Sequence, residues 1–186
     1  KVDFAFGNVS WHRDEEYYRT GAWRGKLATE GGGVMINQAI HTLDLMQWIC
    51  GAPKSVCANT YNYSLKGIIE AEDTVIAMFK GDTDFEFFAT NTAKSDLPIE
   101  IRFISGGDII TLYPDEVLVN GKVADIEHCM KGYGKISYGN GHEKLIKDFY
   151  DCVARGEKFW IDAKEGSACV RQVLAAYRSN GQEVLI

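Results

Sequence analysis

Six apolar segments rich in β-branched and aromatic residues follow one another between Val56 and Val123, and the turns between them leave little room for anything but antiparallel pairing. The segments 56–63, 74–80, 85–92, 99–105, 108–113 and 117–123 show partial alternation, the pattern of strands. Gly81-Asp82-Thr83-Asp84, Gly106-Gly107 and Asn120-Gly121 separate them at hairpin length. Connections this short force neighbours to run antiparallel. The predicted fold class is therefore α+β, a mainly antiparallel open sheet with helices packed on one face. The alternation around Phe85, Glu86, Phe87 and Phe88 is imperfect, which predicts cover on the second face as well. That face is read as a subunit interface, where aromatic residues are enriched.

Helices and loops complete the order of elements. The chain opens on Val2, Phe4, Phe6, Val9 and Trp11, a strand pattern that Gly7-Asn8 is expected to interrupt. A domain that opens directly on a strand is expected to be part of a longer chain. Residues 14–18 predict a helical turn, and the stretch running on to Gly33 predicts a long loop bearing Trp23 and Arg24, of a length that is often functional. Residues 142–155 place Leu145, Ile146, Phe149, Tyr150 and Val153 on one side of a helix. Residues 163–180 predict another, with Asp162 as N-cap and Gly181 as C-cap. Between them, residues 124–140 hold His128, Cys129 and Gly132-Tyr133-Gly134 and read as a connector, with a lid as the alternative.

Composition bounds the partners. A chain of 186 residues with 46% hydrophobic and 25% charged content suits one globular domain. A net charge of -6 argues against nucleic acid and against an anionic membrane, since both require a basic face. Cys50, Cys57, Cys129, Cys152 and Cys169 are scattered and odd in number, which predicts reduced thiols rather than a disulfide framework or zinc cluster. No apolar run approaches the roughly 20 residues that cross a bilayer, and the start carries no signal-peptide pattern. A cytoplasmic location is the expectation.

The chemistry concentrates between Glu30 and Gly51. Gly31-Gly32-Gly33 give way to a long apolar run that Gly51 and Pro53 stop, which predicts one helix with a flexible start. At about 100° per residue, Asn37, His41, Asp44 and Trp48 fall on one stripe of it. Because the rest is apolar, the helix is expected to be buried, and the stripe must face either a satisfied internal network or a cleft. An imidazole with an amide one turn back and a carboxylate one turn on is an oriented general acid/base. Glycines beside it would let backbone approach a ligand.

The string Glu30-Gly31-Gly32-Gly33 through Gly51 resembles a signature of the Gfo/Idh/MocA oxidoreductases, named for glucose-fructose oxidoreductase and inositol dehydrogenase. Trp11-His12-Arg13, Tyr17-Tyr18 and Trp23-Arg24-Gly25 resemble that family's approach to the motif. Tyr177-Arg178-Ser179-Asn180-Gly181 followed by Glu183-Val184-Leu185 resembles its ending. The likeness covers the family's C-terminal domain, residues 1–186, and implies that an N-terminal Rossmann domain lies outside this chain. It implies a substrate-binding domain of an enzyme moving hydride between NAD or NADP and a sugar, polyol or nucleotide sugar. On that likeness His41, Asn37 and Asp44 are catalytic, with Trp23, Arg24, Arg13, Trp11, Tyr18 and Gln38 around the substrate. The family's inositol dehydrogenases often carry Asp where Asn37 stands, and an amide cannot offer imidazolium a full charge. A homodimer or homotetramer through the sheet face is also implied.

What is absent sharpens the reading. No GxGxxG follows a strand and opens a helix: Gly132-Tyr133-Gly134 lacks the third glycine and Gly31-Gly32-Gly33 the strand. The family's Glu-Lys-Pro-like lysine motif does not occur either. The chain alone is expected to be inactive, its cofactor being bound mainly elsewhere. Three rivals stand beside this reading. One is a family member acting as an NAD-dependent glycosidase, another a non-catalytic binding or assembly domain. The last is a metal enzyme using His12, His41, Asp44 and Glu30.

Overall fold

A computed structural model of the chain describes residues 1–125 and 141–186. Nine strands occur among them: β1 (Phe4–Ser10), β2 (Ser55–Tyr61), β3 (Thr74–Lys80), β4 (Asp84–Thr90), β5 (Glu100–Ser105), β6 (Asp108–Leu112), β7 (Val117–Val119), β8 (Lys122–Val123) and β9 (Glu183–Leu185). The helices are α1 (Glu15–Arg19), α2 (Ile40–Cys50), α3 (Gly141–Arg155), α4 (Ala163–Gly166) and α5 (Ala168–Ser179). The strands form one open sheet in the order β8-β7-β6-β5-β1-β4-β3-β2-β9. All neighbours run antiparallel except β1 and β4, which pair parallel. The expected α+β class holds. The parallel exception arises because the N-terminal strand inserts between β4 and β5 instead of lying at an edge.

Gly7 does not interrupt β1. It stays in register opposite Phe87 and Ile101, and a Cβ there would lie 2.3 Å from Met46 Sδ of α2. The glycine lets the helix press directly on the strand. Asn120 (φ 52°) and Gly121 (φ 77°) turn the expected last strand back on itself as β7 and β8, since two positive φ angles make a tight hairpin turn.

Helices α2 and α5 cover one face of the sheet. Between them and the strands sit Val9, Leu43, Met46, Phe79, Phe85, Phe87 and Val173, all at most 1% exposed. Phe79 and Phe85 are cross-strand partners whose rings stack 4.8 Å apart. Among the described residues no helix covers the other face. It alternates Ile76, Phe88, Ile104 and Ile109, all half-exposed, with Glu86 and Arg102.

Two expected helices are shorter than their patterns. The regular turns of α2 begin only at Ile40, and residues 33–39 form a tight coil in which the N–H groups of Gln38 and Ala39 both donate to the Val34 carbonyl. The last helix breaks at Ser167 into α4 and α5. Asp162 caps α4 as expected, accepting from the Glu165 N–H at 2.9 Å, and α5 ends on left-handed Asn180 ahead of Gly181 (φ 77°). Most of the expected connector between residues 124 and 140 lies outside the described residues.

Candidate active site

Backbone conformation explains the first of the three glycines and packing within the chain the other two. Gly31 has φ 84°, a conformation that favours glycine. A Cβ on Gly32 would lie 2.0 Å from Tyr177 Oη, and one on Gly33 would lie 1.9 Å from the Glu72 carbonyl oxygen. Glu72, just ahead of β3, holds the segment in place. Its Oε2 accepts from the Gly33 N–H at 3.0 Å, and its Oε1 accepts from the Met35 N–H at 3.0 Å and the Tyr177 hydroxyl at 2.9 Å. Its carbonyl accepts from the Val34 N–H at 3.1 Å. Burial pushes the Glu72 carboxyl above its ordinary range and, with the Glu72 charge beside it, raises the Tyr177 hydroxyl. Gly32 therefore meets Tyr177 and Gly33 meets Glu72.

A second cluster gathers most of the candidate substrate residues around α1. Asn37 donates through Nδ2 to Glu30, which also accepts from the Gly25 N–H. Gln38 Nε2 donates to Asn37 Oδ1 and to Tyr17 Oη, each at 3.1 Å. Asn91 Nδ2 donates to Gln38 Oε1 at 3.0 Å and to Tyr18 Oη at 2.9 Å. Burial pushes the Tyr18 hydroxyl up to about 12, so it stays protonated as a fixed polar group. Arg24 lies over the rings of Tyr17 (4.3 Å) and Trp23 (4.5 Å), and Arg13 over Trp11 (5.0 Å) and Tyr17 (5.1 Å). Arg13 is also bound to Asp96 at 2.9 Å. Trp23 remains half-exposed.

His41 belongs to neither cluster. The helix expected to be buried is buried on one side only, where it meets the sheet, and of the two expected settings for the stripe His41, Asp44 and Trp48 take the cleft, facing outward. They line a hollow of about 680 Å³ closed on its other side by Trp160, Ile161 and Cys169, a size within the range of about 300–1,000 Å³ usual for ligand clefts. The His41 ring makes no hydrogen bond among the described residues. Asp44 accepts from Gln47 Nε2 at 2.7 Å instead of holding the imidazole, and Gln47 accepts in turn from buried Gln172 of α5. Burial, and secondarily the Asp44 charge, push the Cys169 thiol up to about 12. It is a packed wall of the hollow rather than a nucleophile.

The predicted site residues thus fall into two groups. His41 and Asp44 share the hollow with Trp48, whereas Asn37, Gln38, Trp11, Arg13, Tyr18, Trp23 and Arg24 lie in the polar cluster. Asn37 parts from His41 because the chain is not yet regular helix at residue 37. The four residues of the metal reading do not assemble: His12 lies 3.8 Å from Asp14 and Glu30 is taken by Asn37. Among the described residues no three His, Cys, Asp or Glu side chains group as a metal site. Sequence reasoning missed Glu72 and Trp160. A paired Glu72-Asp73 leading into an apolar strand, and an exposed tryptophan just ahead of a helix cap, were the available signals. No described helix is long and apolar enough to cross a membrane.

An open mixed sheet backed by helices on one face, with a histidine that has no hydrogen-bond partner among the described residues in a hollow at its side, defines a domain with a candidate centre for acid/base chemistry. The family profile described as GFO/IDH/MocA C-terminal domain matches residues 2–106, more than half of the chain, and the chain belongs to that family. Among solved structures it is similar to the WlbA dehydrogenase of Bordetella pertussis, in complex with NADH and UDP-GlcNAcA, at 24% identity and a TM-score of 0.78. The alignment covers 100% of this chain and 57% of that one. The WlbA dehydrogenase of Chromobacterium violaceum, also with NADH and UDP-GlcNAcA, is 26% identical with a TM-score of 0.77, over 100% of this chain and 55% of its own. Levoglucosan dehydrogenase, in complex with NADH and levoglucosan, shares the fold at 16% identity and a TM-score of 0.75, over 100% and 59%. The chain spans little more than half the length of these structures. A search of curated proteins by sequence finds no match.

Proposed function

We propose that this chain is the substrate-binding domain of an NAD- or NADP-dependent dehydrogenase acting on a sugar, polyol or nucleotide sugar. The observation that carries this reading is His41, an imidazole without a hydrogen-bond partner among the described residues, at a hollow of about 680 Å³ flanked by Trp48 and Trp160. Oxidation of a secondary alcohol requires a base to take the hydroxyl proton, and imidazole is matched to that task near neutral pH. Indole faces suit the C–H surface of a sugar ring. The solved dehydrogenases named above carry NADH with a nucleotide sugar or an anhydrosugar, which favours this substrate class.

The described residues do not fit the adenosine and pyrophosphate of a dinucleotide. Among them the parallel pair β1 and β4 is joined through α2 and the antiparallel strands β2 and β3, so no strand, glycine turn and helix unit is present to seat a phosphate. On this reading the nicotinamide, which supplies the hydride acceptor, is bound by a Rossmann domain elsewhere in the parent polypeptide. This chain contributes the proton acceptor and the walls that hold the alcohol. The open sheet face pairs copies into a dimer or tetramer, and light scattering showing a monomer at micromolar concentration would remove that part.

The test is His41→Ala in the parent polypeptide. Turnover of the preferred sugar substrate is expected to fall by roughly 10² to 10⁴, with NADH still bound. A variant that keeps its turnover would take His41 out of the reaction.

A further inference from the structure

One amide sits where the core otherwise holds hydrocarbon. Gln172 of α5 is 1% exposed and stands among the largest fully buried side chains of the described residues, the rest of which are apolar. Its Nε2 donates to Gln47 Oε1, and Gln47 Nε2 donates to Asp44 Oδ1 at 2.7 Å. The Oε1 of Gln172 has no hydrogen-bond partner among the described residues. A buried polar atom without a partner costs stability, and an apolar side chain of similar volume would fill the space without that cost. What the glutamine supplies instead is the inner end of a chain of amides that reaches the hollow beside His41.

The charged end fixes the direction of that chain. A carboxylate only accepts, so Gln47 turns its NH2 to Asp44 and its oxygen inward, and Gln172 answers with its own NH2. Gln47 stands one turn beyond Asp44 on α2, and Gln172 one turn beyond Cys169 on α5, so the amides tie together the two helices that carry these lining residues. The other titratable groups lining the hollow are His41 of α2, Glu165 of α4 and Cys169 of α5, and no lysine or arginine stands among its described lining residues. Asp44 is exposed and, left to itself, would sample several rotamers. Held at Oδ1, it keeps Oδ2 without a partner among the described residues. Resting on the dehydrogenase reading, we propose that Gln172 and Gln47 are positioning residues for that reaction: they hold the Asp44 carboxylate in one orientation, so that its free oxygen receives a sugar hydroxyl and places the reacting alcohol at His41. The stability forgone at Gln172 Oε1 goes into a fixed carboxylate.

The experiment compares the parent polypeptide with its Gln172→Met variant, close in shape and without the donor, and with Gln47→Met, at a half-buried position, which carries the same prediction should the first not fold. Expected for Gln172→Met are a denaturation midpoint no lower than that of the unaltered protein, since the unpartnered oxygen leaves with the donor, and kcat/KM on the preferred sugar lower by roughly 10 to 10², the cost of a misplaced reacting group. The side-chain amide signal of Gln47, assigned by its loss in Gln47→Met, is expected to shift and to exchange faster with solvent. In an Asp44→Ala background the same Gln172→Met change is expected to alter kcat/KM by less than about twofold, because a residue that acts through Asp44 then has nothing to position. An equal loss with and without Asp44, or unchanged kcat/KM in both Gln172→Met and Gln47→Met, would overturn the proposal. If the unaltered protein oxidises no sugar or nucleotide sugar while the Gln47 amide still loosens in Gln172→Met, the dehydrogenase reading fails and the hold on Asp44 stands.

Discussion

Two polar centres lie on either side of the coil formed by residues 33–39, and the fold treats them in opposite ways. Around Glu72 every carboxylate oxygen has a donor, from Gly33, Met35 and Tyr177, and the group is 7% exposed. Around His41 the imidazole has no partner among the described residues and opens on a hollow. A buried charge must be saturated or it destabilises the fold, whereas a group meant to exchange protons with a ligand must be left unsaturated and reachable. The first centre is scaffold and the second has the freedom to act.

The sharpest way to break this contrast is to remove both side chains in turn. Glu72→Ala strips three buried donors of their acceptor, and each orphan costs about 1–3 kcal/mol. The domain is expected to lose about 3 kcal/mol or more by chemical denaturation. His41→Ala, which leaves nothing unpaired, is expected to stay within about 0.5 kcal/mol of the unaltered protein. Equal losses for the two variants would erase the distinction.

A smaller effect separates glycines by what surrounds them. Gly33→Ala drives a Cβ to 1.9 Å from the Glu72 carbonyl, while Gly166→Ala points into open space with no positive φ. The first is expected to cost about 1–3 kcal/mol through overpacking. The second is expected to be neutral or to stabilise by up to about 1 kcal/mol by restricting the unfolded chain. Comparable denaturation midpoints for the two variants would mean that the contact with Glu72 relaxes at no cost.

Much of this was legible in the residues. The strand pattern from Thr74 to Lys80 coincides with β3, and the short turns imposed the antiparallel order. What escaped was long-range. Nothing local to Phe4–Ser10 says that it slots between β4 and β5, because strand insertion is decided by the whole sheet. The helical stripe was read to Asn37 because periodicity counts residues and cannot see that Glu72, far along the chain, pulls residues 33–35 into a coil. His41 was legible from its spacing to Asp44 and Trp48, whereas Trp160 on the opposite wall was not, since the two sides of the hollow meet only in the folded chain. The glycine run was visible but its cause was not, because a missing Cβ looks the same whether a ligand or Tyr177 occupies the space.

Acidity provides the finest test of which centre is sealed. Burial raises the folded-state pKa of Glu72 above the ordinary carboxylate value, so the folded chain holds that proton more tightly than the unfolded chain does. By linkage, the stability this group contributes is complete below the ordinary carboxylate range and is lost as pH rises through the raised value. Glu72→Gln removes the titration while keeping one acceptor oxygen. Urea midpoints measured from acid to neutral pH should therefore fall for the unaltered protein relative to Glu72→Gln, with the change falling above the usual carboxylate range. A constant difference between the two would mean that water reaches Glu72 and that the clamp is open to solvent, as the hollow beside His41 is.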